Sequence, residues 1–238
     1  MKGKIVSWIR KQVKAAGAKG IVLGLSGGVD SAVVAALSCE AVGRNNVLAL
    51  FLPCNSCQQD LKDANLVARV LKLKTKLVDL SSVYNNFLKV LPKVAGLAKS
   101  NLKPRLRMAT LYYFANKLNY FVCGTGNKSE ILVGYFTKYG DGGVDMLPIG
   151  GLLKKQVRAL AKELKIPELI ISKPPTAGLW QGQTDEGEMG ITYNELDDIL
   201  QRMESKTRQV APVDKVNKVR KMIARSAHKR KGADICRI

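Results

Sequence analysis

The densest concentration of chemically useful side chains is Gly24-Leu25-Ser26-Gly27-Gly28-Val29-Asp30-Ser31. It follows the apolar, β-prone Ile21-Val22-Leu23 and precedes Ala32-Val33-Val34-Ala35-Ala36-Leu37, which reads as a buried helix. Strand, glycine-rich turn and helix start together make an anion site. Glycine lets the main chain approach a phosphate, and the unpaired N–H groups of the first helical turn point at it. Ser26 and Ser31 add hydroxyl donors, and Asp30 is placed to hold a divalent cation that bridges phosphate oxygens. Neither the Gly-Lys-Ser/Thr of a Walker A loop nor the Gly-x-Gly-x-x-Gly dinucleotide spacing is present. A plain hinge between strand and helix needs neither two serines nor an aspartate in these places.

Two other features invite chemistry. Cys54-x-x-Cys57 lies within Pro53-Cys54-Asn55-Ser56-Cys57-Gln58-Gln59 and suggests a metal or redox pair, but no second cysteine pair and no histidine stands near it in the sequence. His228 is the only histidine; in its basic surroundings it reads as a base, a ligand-binding residue or a solvated side chain.

Such groups must be positioned by regular elements. A leading helix spans 4–16 and a first strand 20–25. Asn46 to Leu52 is a second buried strand stopped by Pro53, and Ala64, Val67, Ala68 and Leu71 recur at helical spacing over about 58–72. Thr75 to Leu80 is a third strand, 81–98 is helical but weakly patterned, Arg105 to Leu118 is a helix, and Tyr120 to Cys123 is a fourth strand broken by Gly124-Thr125-Gly126. The alternation predicts an α/β fold, a doubly wound, mostly parallel sheet with helices on both faces. Ligands on such sheets bind beyond the carboxyl ends of the strands, where the polar clusters 24–31, 53–59 and 124–130 fall. Further on, Gly150-Gly151 opens a helix carrying Leu152, Leu153, Val157, Leu160 and Leu164, which Pro167 ends. Residues 172–190 read as a long mobile loop, Thr192 with Glu195 as a capping box, and about 213–227 as a last helix. The whole of 1–238 is expected to be one domain with a basic C-terminal segment.

Ser26-Gly27-Gly28-Val29-Asp30-Ser31 resembles the pyrophosphate-binding loop of the ATP pyrophosphatases, which split ATP into AMP and pyrophosphate. Four stretches narrow the resemblance: Asn101-Leu102-Lys103-Pro104-Arg105-Leu106-Arg107-Met108, Gly124 to Glu130, Gly134 to Asp145, and Lys173 to Leu179 followed by Gln183-Thr184-Asp185-Glu186. In this order they resemble the ammonia-dependent NAD synthetases over roughly residues 4–231. The resemblance implies an adenine nucleotide alpha-hydrolase-like fold and a ligase that adenylates the nicotinate carboxylate of deamido-NAD, after which ammonia displaces AMP. It implies ATP as co-substrate, bound by Gly24 through Ser31 with Thr125, Lys154 and Thr176, and Mg2+ on Asp30 and Glu130. Arg105, Lys138, Asp145, His228 and Lys229 match positions that hold deamido-NAD, and Gln59 matches a reach toward ATP. Asp30, Lys154 and Asp145 are the expected catalytic set, Asp145 as acceptor of the ammonium proton. The alternative for Lys138 and Lys154 is a surface lysine, and for Glu130 a helix cap. Three departures stand out: Val29 replaces the glutamine of many relatives, the 53–59 loop is shorter and richer in cysteine, and the stretch after Lys231 is short.

Composition bounds the rest. No continuous apolar stretch approaches a membrane span, the N-terminus reads as an amphipathic helix and not a signal peptide, and five scattered cysteines fit a reducing cytoplasm. The charge of 39 basic minus 19 acidic residues, +20, is heaviest near the C-terminus, where no aromatic residue interleaves the lysines. That argues for a lysine-rich surface attracting polyanionic substrates and against nucleic acid. The competing readings are a tRNA-modifying ATP pyrophosphatase that adenylates a base and a non-enzymatic nucleotide sensor. The resemblance implies a homodimer, for which Ile5, Trp8 and Ile9 offer an apolar helical face.

Overall fold

Ile21, Val22 and Leu23 are all fully buried, as a strand covered by helices on both faces requires. They belong to β1 (Gly20–Gly24), which follows helix α1 (Lys2–Ala15) and leads into α2 (Val29–Val42). The computed structural model describes residues 1–180, 182–205, 207 and 210–236. Strands β1, β2 (Val47–Phe51), β3 (Lys74–Leu77) and β4 (Tyr120–Val122) pair in parallel in the order β3-β2-β1-β4. Helix α3 (Gln58–Leu71) crosses from β2 to β3; α4 (Ser81–Val90), α5 (Leu97–Ser100) and α6 (Leu102–Leu118) return the chain to β4.

Alternation along the strands divides the core. Ile21 and Leu23 face Val6, Ile9 and Val13 of α1 and the buried length of α2, whereas Val22 faces Tyr84 of α4 and Phe114 and Ala115 of α6. A third apolar cluster joins α7 (Lys128–Val133), α10 (Asp185–Met189), α11 (Tyr193–Ser205) and α12 (Val213–Arg225), centred on Tyr193, Leu196 and Ile199. Between α7 and α10 lie α8 (Lys154–Glu163), packed on the first core through Val157 and Leu160, and the short α9 (Glu168–Ile171). Because β2 and β3 lie on one side of β1 and β4 on the other, the winding reverses between β1 and β4. The loops after these two strands meet at that switch point, where doubly wound sheets hold their ligands.

Several expected boundaries shift for local reasons. The helix expected over 81–98 is two helices, since Pro92 holds Leu91 extended (ψ 151°) and Gly96 turns at φ +71°. Helix α6 begins at Leu102, before Pro104; proline is tolerated there because the first turn's N–H groups have no partner within the helix. Helix α8 starts at Lys154 and not at Gly150-Gly151, with the Leu153 N–H donating to Gln156 Oε1 at 2.9 Å. The 172–190 segment is not a loop throughout: Thr184 caps α10, and Gly190 at φ +61° ends it; position 181 of that segment lies outside the described residues. The Thr192–Glu195 capping box is formed, each residue's N–H donating to the other's side chain. Ile9 of the proposed apolar face is core, while Trp8 is 41% exposed. Among the described residues all five cysteines are free thiols, and no helix is long and apolar enough to cross a membrane.

Candidate active site

The turn after β1 admits only glycine at position 27. Its φ is +82°, and a Cβ there would lie 2.7 Å from the Asp60 carbonyl oxygen and 2.8 Å from the Asp63 Cβ. Ser26 and Ser31 close the turn, their hydroxyls 3.1 Å apart, with Gly28 N donating to Ser26 Oγ and Ser31 Oγ donating to the Gly28 carbonyl at 2.9 Å. Gly28 caps α2 without a side-chain bond, so the dipole and N–H groups of a 14-residue helix remain available to an anion.

Asp30, in the first turn of α2, meets two other elements. Its Oδ2 lies 2.6 Å from Lys154 Nζ at the start of α8, and its Oδ1 accepts from Asn127 Nδ2 at 2.9 Å. Lys154 Nζ also reaches Glu130 Oε1 at 3.2 Å. Glu130 does cap its helix, since Asn127 Oδ1 accepts from Glu130 N and Glu130 Oε2 accepts from Asn127 N. Its other oxygen nonetheless belongs to the cluster. Tyr193 completes the group: its hydroxyl lies 3.2 Å from Glu130 Oε1 and 3.0 Å from Asp185 Oδ2, and its ring centroid is 4.8 Å from Lys154 Nζ. Asp185 Oδ1 is buried with no partner among the described residues.

The electrostatics follow from burial. Glu130 is pushed up to about 7 by loss of water, against the pull of Lys154 and with the push of Asp30. Burial works to lower the Lys154 pKa, but Asp30 and Glu130 more than offset it and hold the ammonium above its ordinary value. Asp185 is raised by burial as well. Three carboxyl groups thus surround one ammonium, an arrangement with spare negative charge for a hard cation. Among the described residues no group of three or more His, Cys, Asp or Glu is arranged as a metal cage.

The other expected ATP contacts are less free. Thr125 is half-buried in the loop after β4. Thr176 Oγ1 donates to the Gln183 carbonyl at 2.8 Å and accepts from Gly178 N, so it closes its own loop. Lys173 pins that loop to α3 through Asp60 (2.9 Å) and Asp63 (2.5 Å), and Lys103 pins it again at the Leu179 carbonyl. Gln59 donates to Asp63 at 2.7 Å.

Four of the five residues expected on the dinucleotide gather around 134–138. Arg105 donates to the Lys138 carbonyl at 3.4 Å and Lys138 Nζ to the His228 carbonyl at 2.7 Å; Lys229 Nζ donates to the carbonyls of Gly134 and Phe136, each at 2.8 Å. Asp145 shares no hydrogen bond with them or with Lys154. Its two oxygens accept from the Tyr112 hydroxyl (2.9 Å) and the Val122 N–H (2.8 Å), tying β4 to α6. Cys54 is buried, which raises its thiol pKa, and Cys57 is exposed. Sequence reasoning gave no role to Asn127, Asp185 or Tyr193. Asn127 was readable as a cap three residues before Glu130; nothing in its spacing marks Tyr193.

Comparison with known proteins agrees with this geometry. The NAD synthase family pattern matches residues 1–233. The NH(3)-dependent NAD(+) synthetase of Archaeoglobus fulgidus is 48% identical over 237 residues, covering 99% of this chain and 95% of its own length. Among solved structures, an NMN synthetase from Francisella tularensis superposes with a TM-score of 0.91 at 39% identity, covering 100% of this chain and 97% of that one. An NH3-dependent NAD synthetase from Campylobacter jejuni gives 0.86 at 32% identity, covering 99% and 97%. A parallel sheet with a glycine- and serine-rich turn at its switch point, and a match running nearly end to end, lead to one conclusion: the chain belongs to the NAD synthase family.

Proposed function

We propose that this chain is an ATP-dependent ligase that amidates deamido-NAD to NAD with free ammonia, through an adenylated carboxylate, releasing AMP and pyrophosphate. The observation that carries the reading is the meeting of the Ser26–Ser31 phosphate loop with the buried Lys154 at the switch point of the sheet. Attack of a carboxylate on the α-phosphate brings two anions together, so the site must supply positive charge where it builds up. Lys154 supplies it from α8, and the first-turn N–H groups of α2 hold the phosphates. Arg105, Lys138, His228 and Lys229 bind the dinucleotide around 134–138, and Asp145 accepts the ammonium proton.

Magnesium fits this donor set. It favours oxygen ligands and binds through one or two carboxylates together with substrate phosphates. Asp30 and Glu130 both reach the Lys154 ammonium, so their oxygens lie close together, and Asp185 Oδ1 is an acceptor with no donor among the described residues. When bound, the ion neutralises phosphate charge. We further place the enzyme in the cytoplasm as a homodimer, consistent with the exposed Val83, Phe87 and Tyr113. Sedimentation after dilution to assay concentration checks the dimer, and an active monomer would refute it.

The likeness to an NMN synthetase supports one competing reading, amidation of the mononucleotide. Pyrophosphate release measured with deamido-NAD, with nicotinate mononucleotide and with neither decides. We expect a larger kcat/KM for the dinucleotide; a preference for the mononucleotide would replace our reading with the other.

A further inference from the structure

The start of α8 is held from outside its own sequence. Ser129 Oγ accepts from Lys154 N at 3.0 Å, and Asp197 Oδ2 accepts from Lys155 N at 2.8 Å. Ser129 Oγ in turn donates to Asp197 Oδ1 at 2.5 Å. Asp197 lies on α11, and both it and Ser129 are fully buried. No lysine or arginine side chain forms a salt bridge with Asp197 among the described residues. Its charge is met by the positive end of α8 and by a hydroxyl.

A dehydrated carboxylate is an expensive way to fill a core position between apolar Leu196 and Ile199 neighbours. Here it fixes two things at once. Directly and through Ser129 it anchors the first two residues of α8, the first of which is Lys154. Ser129 is also a residue of α7, the helix that carries Glu130. One turn earlier on α11, Tyr193 presents its ring to Lys154 and its hydroxyl to Glu130. The helix therefore braces the charged cluster at two points.

We infer that Asp197 is a positioning residue that, through Ser129 and the first turn of α8, sets the Lys154 ammonium against the phosphates of ATP. The inference rests on the role proposed above for Lys154. A misplaced side chain near reacting groups is the mechanism by which a remote change lowers turnover without weakening substrate binding.

The test compares purified full-length Asp197→Asn, Ser129→Ala, Lys154→Met and Leu196→Ala, measuring pyrophosphate release with deamido-NAD and thermal melting. Leu196→Ala opens a cavity in the same helix and reports the effect of lost stability alone. We expect kcat to fall about tenfold in Asp197→Asn and in Ser129→Ala, with the KM for deamido-NAD within about twofold of the wild type. Leu196→Ala should keep its kcat at a comparable loss of melting temperature. If Asp197→Asn fails to fold, Ser129→Ala decides. Equal kcat losses in Asp197→Asn, Ser129→Ala and Leu196→Ala at matched stability would reduce Asp197 to a structural residue. A fully active Lys154→Met would overturn the role of Lys154 and the brace with it. An inactive Lys154→Met beside unimpaired Asp197→Asn and Ser129→Ala would overturn the brace alone.

Discussion

Lys154 and Asp30 stand 124 residues apart in the chain, and their ammonium and carboxylate meet at 2.6 Å. Both side chains are largely withdrawn from water, at 3% and 17% exposure. Removing one partner of such a pair leaves buried charge unmatched, at a cost of about 3–5 kcal/mol. Lys154→Met should therefore melt at a lower temperature and lose about a hundredfold in pyrophosphate release. Magnesium should raise the melting temperature of this variant more than that of the wild type, because a cation can then take the place of the ammonium. Thermal melts with and without magnesium check both statements.

Glu130 gives the stability a pH dependence of known sign. Its carboxyl is raised from an ordinary 4.5 to about 7, so the folded protein holds a proton that the unfolded chain has released. The stabilisation is fully present below about 4.5 and is lost as pH rises through about 7. Glu130→Gln should flatten the melting profile across that window. A series of melts from pH 4.5 to 8 in both proteins measures it, and parallel profiles would contradict the assignment.

Lys173 ties the start of the 172–184 loop to Asp60 and Asp63, beside the backbone that limits Gly27. Lys173→Met should loosen the loop and, by leaving the buried Asp63 without its ammonium partner, lower the melting temperature as well. Chymotrypsin should then cut near the 44% exposed Trp180 several-fold faster than in the wild type. Mass spectrometry of the fragments reads the site of cleavage.

Lys138 sits between Arg105 and His228. Its loss should remove binding to the dinucleotide more than chemistry. Lys138→Met should raise the KM for deamido-NAD at least tenfold and that for ATP no more than about twofold. Equal effects on both substrates would remove Lys138 from the dinucleotide site.

What was legible in the sequence was whatever a short stretch decides for itself. The apolar run of β1, the glycine and serine turn, and the Thr192–Glu195 cap all depend on neighbours within a few residues, and each appears where its pattern predicts. The parallel, helix-covered sheet followed from the alternation of strands and helices, whereas the strand order β3-β2-β1-β4 did not. The site's long-range pairs were not legible from periodicity. Lys154 reads as one of many lysines until α8 brings it to Asp30, and the resemblance, not its spacing, singled it out. Asp197 falls within an ordinary amphipathic helix, and its burial against the start of α8 is set by packing. Nor does spacing show that the Gln59 side chain bonds Asp63 or that the Thr176 hydroxyl bonds the Gln183 carbonyl.

The clasp around residues 134–138 has a consequence in time. Lys229 bonds the carbonyl of Phe136 across 93 residues, and Arg230 that of Leu132 across 98. A ribosome adds about 5–20 residues per second, so roughly 5 to 20 s separate the synthesis of this loop from that of the lysine that fixes it. The parallel sheet, complete by Val122, can assemble well before then. The nascent protein thus passes through a stage that has its 24–31 turn but lacks the clasp on residues 134–138.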